Sequence, residues 1–100
     1  MEKPTLILDE NKEGAFVIKD GDVQLGEMVL AIIGQDLVVY HTEVSPAAEG
    51  KGLAKELLTA MVEYAREKKL MVIPLCPYVH AQFKRHPQDY QDIWKKSDDE

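Results

Sequence analysis

The sequence predicts an α+β (mixed α/β) fold: an antiparallel strand meander, a strand–helix–strand crossover and a C-terminal helix. Three observations predict it. Apolar, partly alternating runs fill the first half between short glycine turns. The second half switches to a helical period, and an apolar run returns after that helix. At 100 residues, 45% hydrophobic and 30% charged, the chain fits one globular domain, residues 1–100, with its core over about 14–87.

Gly14 to Asp20 is apolar and β-branched. Asp20-Gly21-Asp22-Val23 then carries the Asp-Gly signal of a tight hairpin turn. Val23 to Ile33 is the second strand, and Gly34-Gln35 turns the chain into a third, Asp36 to Val44. A weak additional strand fits Thr5 to Asp9. From Leu53 to Lys69, Ala54, Leu57, Leu58, Met61 and Ala65 recur at helical spacing. Lys55, Glu56, Thr59, Glu63, Arg66 and Glu67 fall on the other face, so this is an amphipathic helix. Leu70 to Leu75 reads as a buried strand, brought parallel to the third by a right-handed crossover. A second helix fits about Tyr78 to Arg85 and stops at His86-Pro87. His80 and His86 are expected at its surface and end. Tyr90 and Trp94 are expected to pack the C-terminal segment onto the body, and the charged tail Lys95 to Glu100 to fray.

Charge and cysteine content exclude several functions. Twelve basic and eighteen acidic residues leave a net charge of −6, which argues against nonspecific nucleic-acid binding. No apolar stretch is long enough to span a membrane, and Met1 to Leu8 lacks a secretory pattern. The single cysteine, Cys76, excludes an intramolecular disulfide and a Cys-rich zinc site. His41, His80 and His86 do not form HExxH, so no metal is expected. A reducing, cytoplasmic compartment is the expectation.

The segment from Val44 to Ala54 lies between a strand and the strongest helix. Gly50 and Gly52 remove Cβ atoms there, so backbone N–H groups and the helix N-terminus can form an anion site. Lys51 adds a positive charge. The segment is neither GxxxxGK(S/T) nor GxGxxG, and a plain turn that uses glycine is the alternative. Cys76 precedes Pro77, which is favoured at the first helical position, so Cys76 is expected to cap the second helix. A thiol near a positive helix end is a candidate nucleophile; a small buried hydrophobe is the plain alternative. His41 and Glu43, two apart on a strand, share a face and could accept a proton or simply end the strand. Pro74 cannot donate to a strand ladder and weakens pairing on one side.

Glu49-Gly50-Lys51-Gly52-Leu53-Ala54, with its flanking strand and helix, resembles the acyl-CoA loop of the GNAT acetyltransferase superfamily, Gln/Arg-x-x-Gly-x-Gly/Ala. The resemblance runs from about Gly14 to Pro87 and is nearest to a small branch with His-Thr-Glu-Val before the loop and Cys-Pro-Tyr after the last strand. It implies a minimal GNAT-like fold, acetyl-CoA as cofactor and N-acetyl transfer to a small-molecule or protein amine. It also implies cofactor binding by Val44, Glu49, Gly50, Lys51, Gly52, Leu53, Ala54 and Lys55, with Lys84 and Arg85 available to a thiolate or phosphate. Chemistry would fall to Cys76, His41, Glu43 and Tyr78: direct attack by an amine, or a relay through acyl-Cys76. The acid role that the wider family places deeper in this helix, about where this chain has Phe83-Lys84-Arg85, is then vacant or moved to Tyr78.

Glu49 stands where the family has Gln or Arg. A carboxylate 4 Å from a phosphate costs about 1 kcal/mol even when solvated. A noncatalytic CoA-binding or interaction module on the same scaffold is therefore the alternative. The family's longer members carry extra helices before the meander, so the resemblance implies an open acceptor side here, completed by a partner or a second copy.

Overall fold

Alternating apolar residues produce four antiparallel strands in the first half of the chain. The computed structural model describes residues 3–96. Its elements are β1 (Thr5–Leu8), β2 (Glu13–Asp20), β3 (Val23–Ile33), β4 (Asp36–Val44), α1 (Leu53–Lys68), β5 (Met71–Pro74), α2 (Pro77–Arg85) and α3 (Pro87–Tyr90). The strands form one sheet in chain order, antiparallel from β1 to β4 and parallel between β4 and β5. The weak Thr5–Asp9 strand is thus a full member of the sheet. A Cβ on Gly14 would collide with the Ile7 carbonyl oxygen, so glycine lets β1 close onto β2.

The helices cover one face. Leu6 pairs with Phe16, Phe16 with Met28 and Met28 with Thr42, a row on the helix side. Phe16, Ile18, Met28, Leu30, Leu37, Val39 and Val72 join the buried side chains of α1 and α2 in one core cluster. On α1, Leu53, Leu57, Leu58, Met61, Val62 and Ala65 are buried. At ~25 cal/mol per Å² of apolar surface, burial of such side chains is the main stabilising term.

The chain after α2 departs from expectation in one respect. Tyr90 stacks on Phe83 at 4.6 Å and Trp94 meets Phe83 edge-on at 5.7 Å, as the aromatic spacing suggests. The backbone then adds to the outer edge of β5: Val72 N donates to Ile93 O (2.6 Å) and Lys95 N to Val72 O (2.9 Å). Lys95 is therefore held rather than frayed, and its Nζ also reaches Asp36 at 2.8 Å. Residues 97–100 of the predicted fraying tail lie outside the described residues. Arg66 of α1 clamps the same segment, bonding Asp92 at 2.9 Å and the Asp89 carbonyl at 2.6 Å.

Candidate active site where β4 and β5 part

The pairing of β4 with β5 runs from Asp36 opposite Met71 to Val39 opposite Pro74, and ends there. Met71 N donates to Gln35 O while Val72 N donates to Ile93 O, so by alternation the N of Pro74 faces the outer edge of β5, and it is at Leu75 that the ladder toward β4 breaks. Leu75 N folds back onto Ile73 O (3.1 Å), and Cys76 N closes on Val39 O (2.8 Å). β4 continues to Val44 without a strand on that edge. At the same point β4 bulges: His41 pairs with Val29 and Val39 with Leu30, leaving Tyr40 as the extra residue. A bulge bends its strand, and this one falls where the pairing of β4 with β5 ends. Ser45 N donates to Leu25 O (2.7 Å). Hydrogen-bonding direction alternates along an antiparallel pair, so the N–H and C=O of Thr42 and Val44 point into the gap.

The bulge also decides which side chains meet. Thr42 shares the helix side with Leu37 and Val39, and its Oγ1 lies 3.3 Å from Cys76 Sγ. Cys76 caps α2 as its position before Pro77 predicts, and it is 1% exposed. His41 and Glu43 do share a face, but it is the face opposite the helices. His41 Nδ1 lies 3.9 Å from Glu43 Oε1, with both side chains exposed. Glu43 also lies directly opposite Glu27 on β3. Thr42 is the residue that sequence reasoning missed. Its only signal was a hydroxyl inside the His-Thr-Glu-Val run, because a bulge has no short-range signature.

The glycine loop is held from within. Residues Pro46–Ala48 form a 3-10 turn and Ala48 is buried, which fixes the loop to the core. Gly50 and Gly52 adopt φ of +85° and +74°, a left-handed region that side chains disfavour. Gly52 is the N-cap of α1 and supplies no capping side chain. The amides of Leu53, Ala54 and Lys55 therefore head the helix with no side-chain acceptor at the cap. Leu53 contributes only backbone, since its side chain is in the core. Glu49, Lys51 and Lys55 are exposed, and Ala54 is half-buried.

Tyr78 packs against the core cluster beside Cys76. Burial pushes its phenol up, with Tyr90 and Cys76 adding to the effect. The hydroxyl thus keeps its proton at neutral pH. Lys84 and Arg85 are exposed at the far end of α2. Eight residues of helix put Lys84 about 12 Å along the axis from Cys76, so the fold does not gather it with the cap. His80 sits with its ring edge to Trp94 at 6.0 Å, and His86 is exposed at the helix end. Among the described residues no group of three or more His, Cys, Asp or Glu side chains could hold a metal. None of their helices is long and apolar enough to cross a membrane.

Comparison with known proteins places the fold and the family. The chain is 27% identical over 86 residues to protein NATD1 of Gallus gallus, covering 84% of this chain and 78% of that protein. It superposes on a GCN5-like protein from Staphylococcus aureus with a TM-score of 0.69 and 29% identity, covering 98% of this chain and 94% of the other. Nourseothricin acetyltransferase matches with a TM-score of 0.56 and 25% identity, over 80% of this chain and 52% of that one. The ribosomal-protein-S18-alanine N-acetyltransferase of Escherichia coli shares the fold, at a TM-score of 0.60 and 10% identity over 66% of this chain and 43% of that enzyme. The profile of the GCN5-related N-acetyl-transferase family matches residues 15–93, and with four-fifths of its length so matched the chain belongs to that family.

Proposed function

We propose that this chain transfers an acetyl group from acetyl-CoA to an amine, in the gap between β4 and β5. The carrying observation is one juxtaposition. The strand edge that opens after Val39 and Pro74 lies between the glycine loop that heads α1 and the cap of α2. Coenzyme A fits the residues present. Gly50 and Gly52 are exposed, and a Cβ at either would meet nothing within 4 Å, so the side of the loop is open to the approach of a pyrophosphate. The free N–H and C=O groups of Thr42 and Val44 suit the amides of a pantetheine arm. When bound, acetyl-CoA would supply a thioester carbonyl open to attack.

The chain's own residues supply the rest. Gly50, Gly52 and the amides of Leu53, Ala54 and Lys55 hold negative charge at the helix N-terminus. Lys51 adds a cation, and exposed Glu49 is free to point into solvent. His41 and Glu43 stand on the open face as acceptors for an ammonium proton. Tyr78 keeps a proton that a departing thiolate can take. The contact between Thr42 and Cys76 favours a second route, in which Cys76 carries the acyl group before the amine receives it.

Isothermal titration with acetyl-CoA tests the binding claim, and the expected result is saturable binding that Gly52→Val weakens at least tenfold. No heat at millimolar ligand overturns it. Tight binding without transfer to any amine would instead leave a noncatalytic CoA-binding module. Intact mass after incubation separates the routes: an acetyl adduct lost in Cys76→Ala supports the relay. A variant that keeps the same adduct removes Cys76 from it.

A further inference from the structure

The sheet has a second face that no helix of the described residues covers. Ile7 pairs with Ala15, Ala15 with Val29 and Val29 with His41, one row across four strands. Val17, Ala31 and Val38 share that side and are buried outside the helix-side core cluster. Around them the face stays wet: Ile7 is 52% exposed, Ile33 60% and Tyr40 40%. Leu75, 60% exposed, stands at the rim just beyond β5. Apart from Val23, at the hairpin turn, these are all the large exposed hydrophobics among the described residues. Five strands at about 4.8 Å spacing make this band about 19 Å wide. That is wider than a small amine covers.

The charges around the band have one dominant sign. Glu13, Glu27 and Glu43 stand on strand positions of this face. Asp36 is also there but is paired with Lys95. Lys19, at the hairpin end of β2, is the basic counterpart on the strands. Glu27 and Glu43 lie directly opposite each other on adjacent strands, where like charges are destabilising. The bonds made there are weak: Gln24 Nε2 reaches Glu27 at 3.4 Å, and His41 lies 3.9 Å from Glu43. A second copy of a chain with net charge −6 would bring the same acidic rim against this one. A cation on an apolar body would satisfy both the band and the rim.

We infer that this open face docks a basic, amphipathic polypeptide segment. Its apolar side chains lie on the band from Ile7 to Tyr40, and a lysine ammonium faces Glu27 and Glu43. On the acetyl-transfer reading above, that lysine is the acceptor amine, since the same strand end carries His41 and borders the gap. The docking surface itself needs no cofactor.

The test is a titration of the isotope-labelled chain without coenzyme, followed by backbone amide shifts. The probes are a lysine–leucine peptide, a lysine–serine peptide, a glutamate–leucine peptide and n-butylamine. The lysine–leucine peptide is expected to saturate, to move the amides of Ile7, Ala15, Val29 and His41, and to bind at least tenfold tighter than the other three. Raising salt past about 0.3 M should weaken it several-fold, because exposed charges are then screened. Ile7→Ser with Ile33→Ser, both at exposed positions, should weaken it at least fivefold with an unchanged thermal midpoint. Glu27→Gln with Glu43→Gln should flatten the salt dependence. Equal binding of the lysine–serine peptide or of butylamine overturns the inference. So do shifts confined to the helix side, or self-association by sedimentation that buries the face. Calorimetry with acetyl-CoA keeps the two readings apart. Peptide binding without coenzyme binding sinks the transfer reading and leaves the docking surface; coenzyme binding without peptide binding does the reverse.

Discussion

The two halves of β4 belong to one strand and have opposite fates. Leu37, Val38 and Val39 are buried, and this half is hydrogen-bonded to β3 on one edge and β5 on the other. From Tyr40 to Val44 the same strand keeps β3 and loses β5. The side chains there are exposed or half-buried. A strand with both edges filled has nothing left to bind. A strand with one edge open presents a row of N–H and C=O groups, which either pair with a ligand or remain solvated. Two local features mark the change, the bulge at Tyr40 and the turn at Leu75, whose N–H bonds Ile73 O instead of continuing along β4. Stability therefore sits in the first half of β4, and the recognition proposed above in the second.

Substitutions should separate the halves. Leu37→Ala, at a fully buried position, should cost about 3 kcal/mol. It should lower the denaturation midpoint without changing the slope and leave coenzyme A affinity of the folded protein intact. That loss is a large share of the ~5–15 kcal/mol available to a domain of this kind. A coenzyme defect as large as the stability defect would break the separation. Gly52→Val should cost less stability than Leu37→Ala and, unlike it, weaken coenzyme A binding at least tenfold. A β-branched residue at φ of +74° is strained by about 1–2 kcal/mol, and its side chain would stand where the loop amides are open.

Deleting Tyr40 targets the open half alone. The pairs Val39–Leu30 and His41–Val29 can both persist in a regular ladder, so the sheet should survive. The strand should straighten towards β5 and narrow the gap. Coenzyme A affinity is expected to fall at least tenfold by calorimetry while the thermal midpoint moves by only a few degrees. Unchanged affinity would show that the turn at Leu75 opens the gap without the bulge.

These contrasts also mark what the sequence could reveal. The helical period of Leu53 to Ala65 is local and repeated, so α1 was legible to within a residue. The cap at Cys76 was legible because Pro77 fixes a helix start, and the loop because Gly50 and Gly52 flank a lysine before that helix. The side taken by His41 and Glu43 was not legible. Strict alternation would carry them onto the face of Leu37 and Val39. One extra residue at Tyr40 shifts the count and puts Thr42 there instead, and nothing in Val-Val-Tyr-His announces it. The strand-like addition of residues 93–95 to β5 was hidden for a different reason. It depends on contacts with Val72 and Arg66, more than twenty residues away in sequence.

That addition explains why β5 stays in place beside the closed half of β4, and it gives the smallest effect expected here. The hydrogen bond from Arg66, followed by its charge, holds the Asp92 carboxyl below its ordinary range. The folded state therefore favours the ionised carboxylate, and the pair stabilises the fold above the unfolded carboxyl's pKa. The contribution fades as pH falls through the lower folded value, when Asp92 takes up a proton. Both side chains are about half exposed, so solvent screening keeps the pair below about 1 kcal/mol. Asp92→Asn should accordingly lower stability slightly at neutral pH, and the two denaturation curves should converge once pH falls below the lowered folded value. Because the clamp acts on the edge of β5 remote from the gap, coenzyme A affinity should not change. An affinity loss in Asp92→Asn, measured at neutral pH, would mean that the closed half of β4 transmits its strain into the open one.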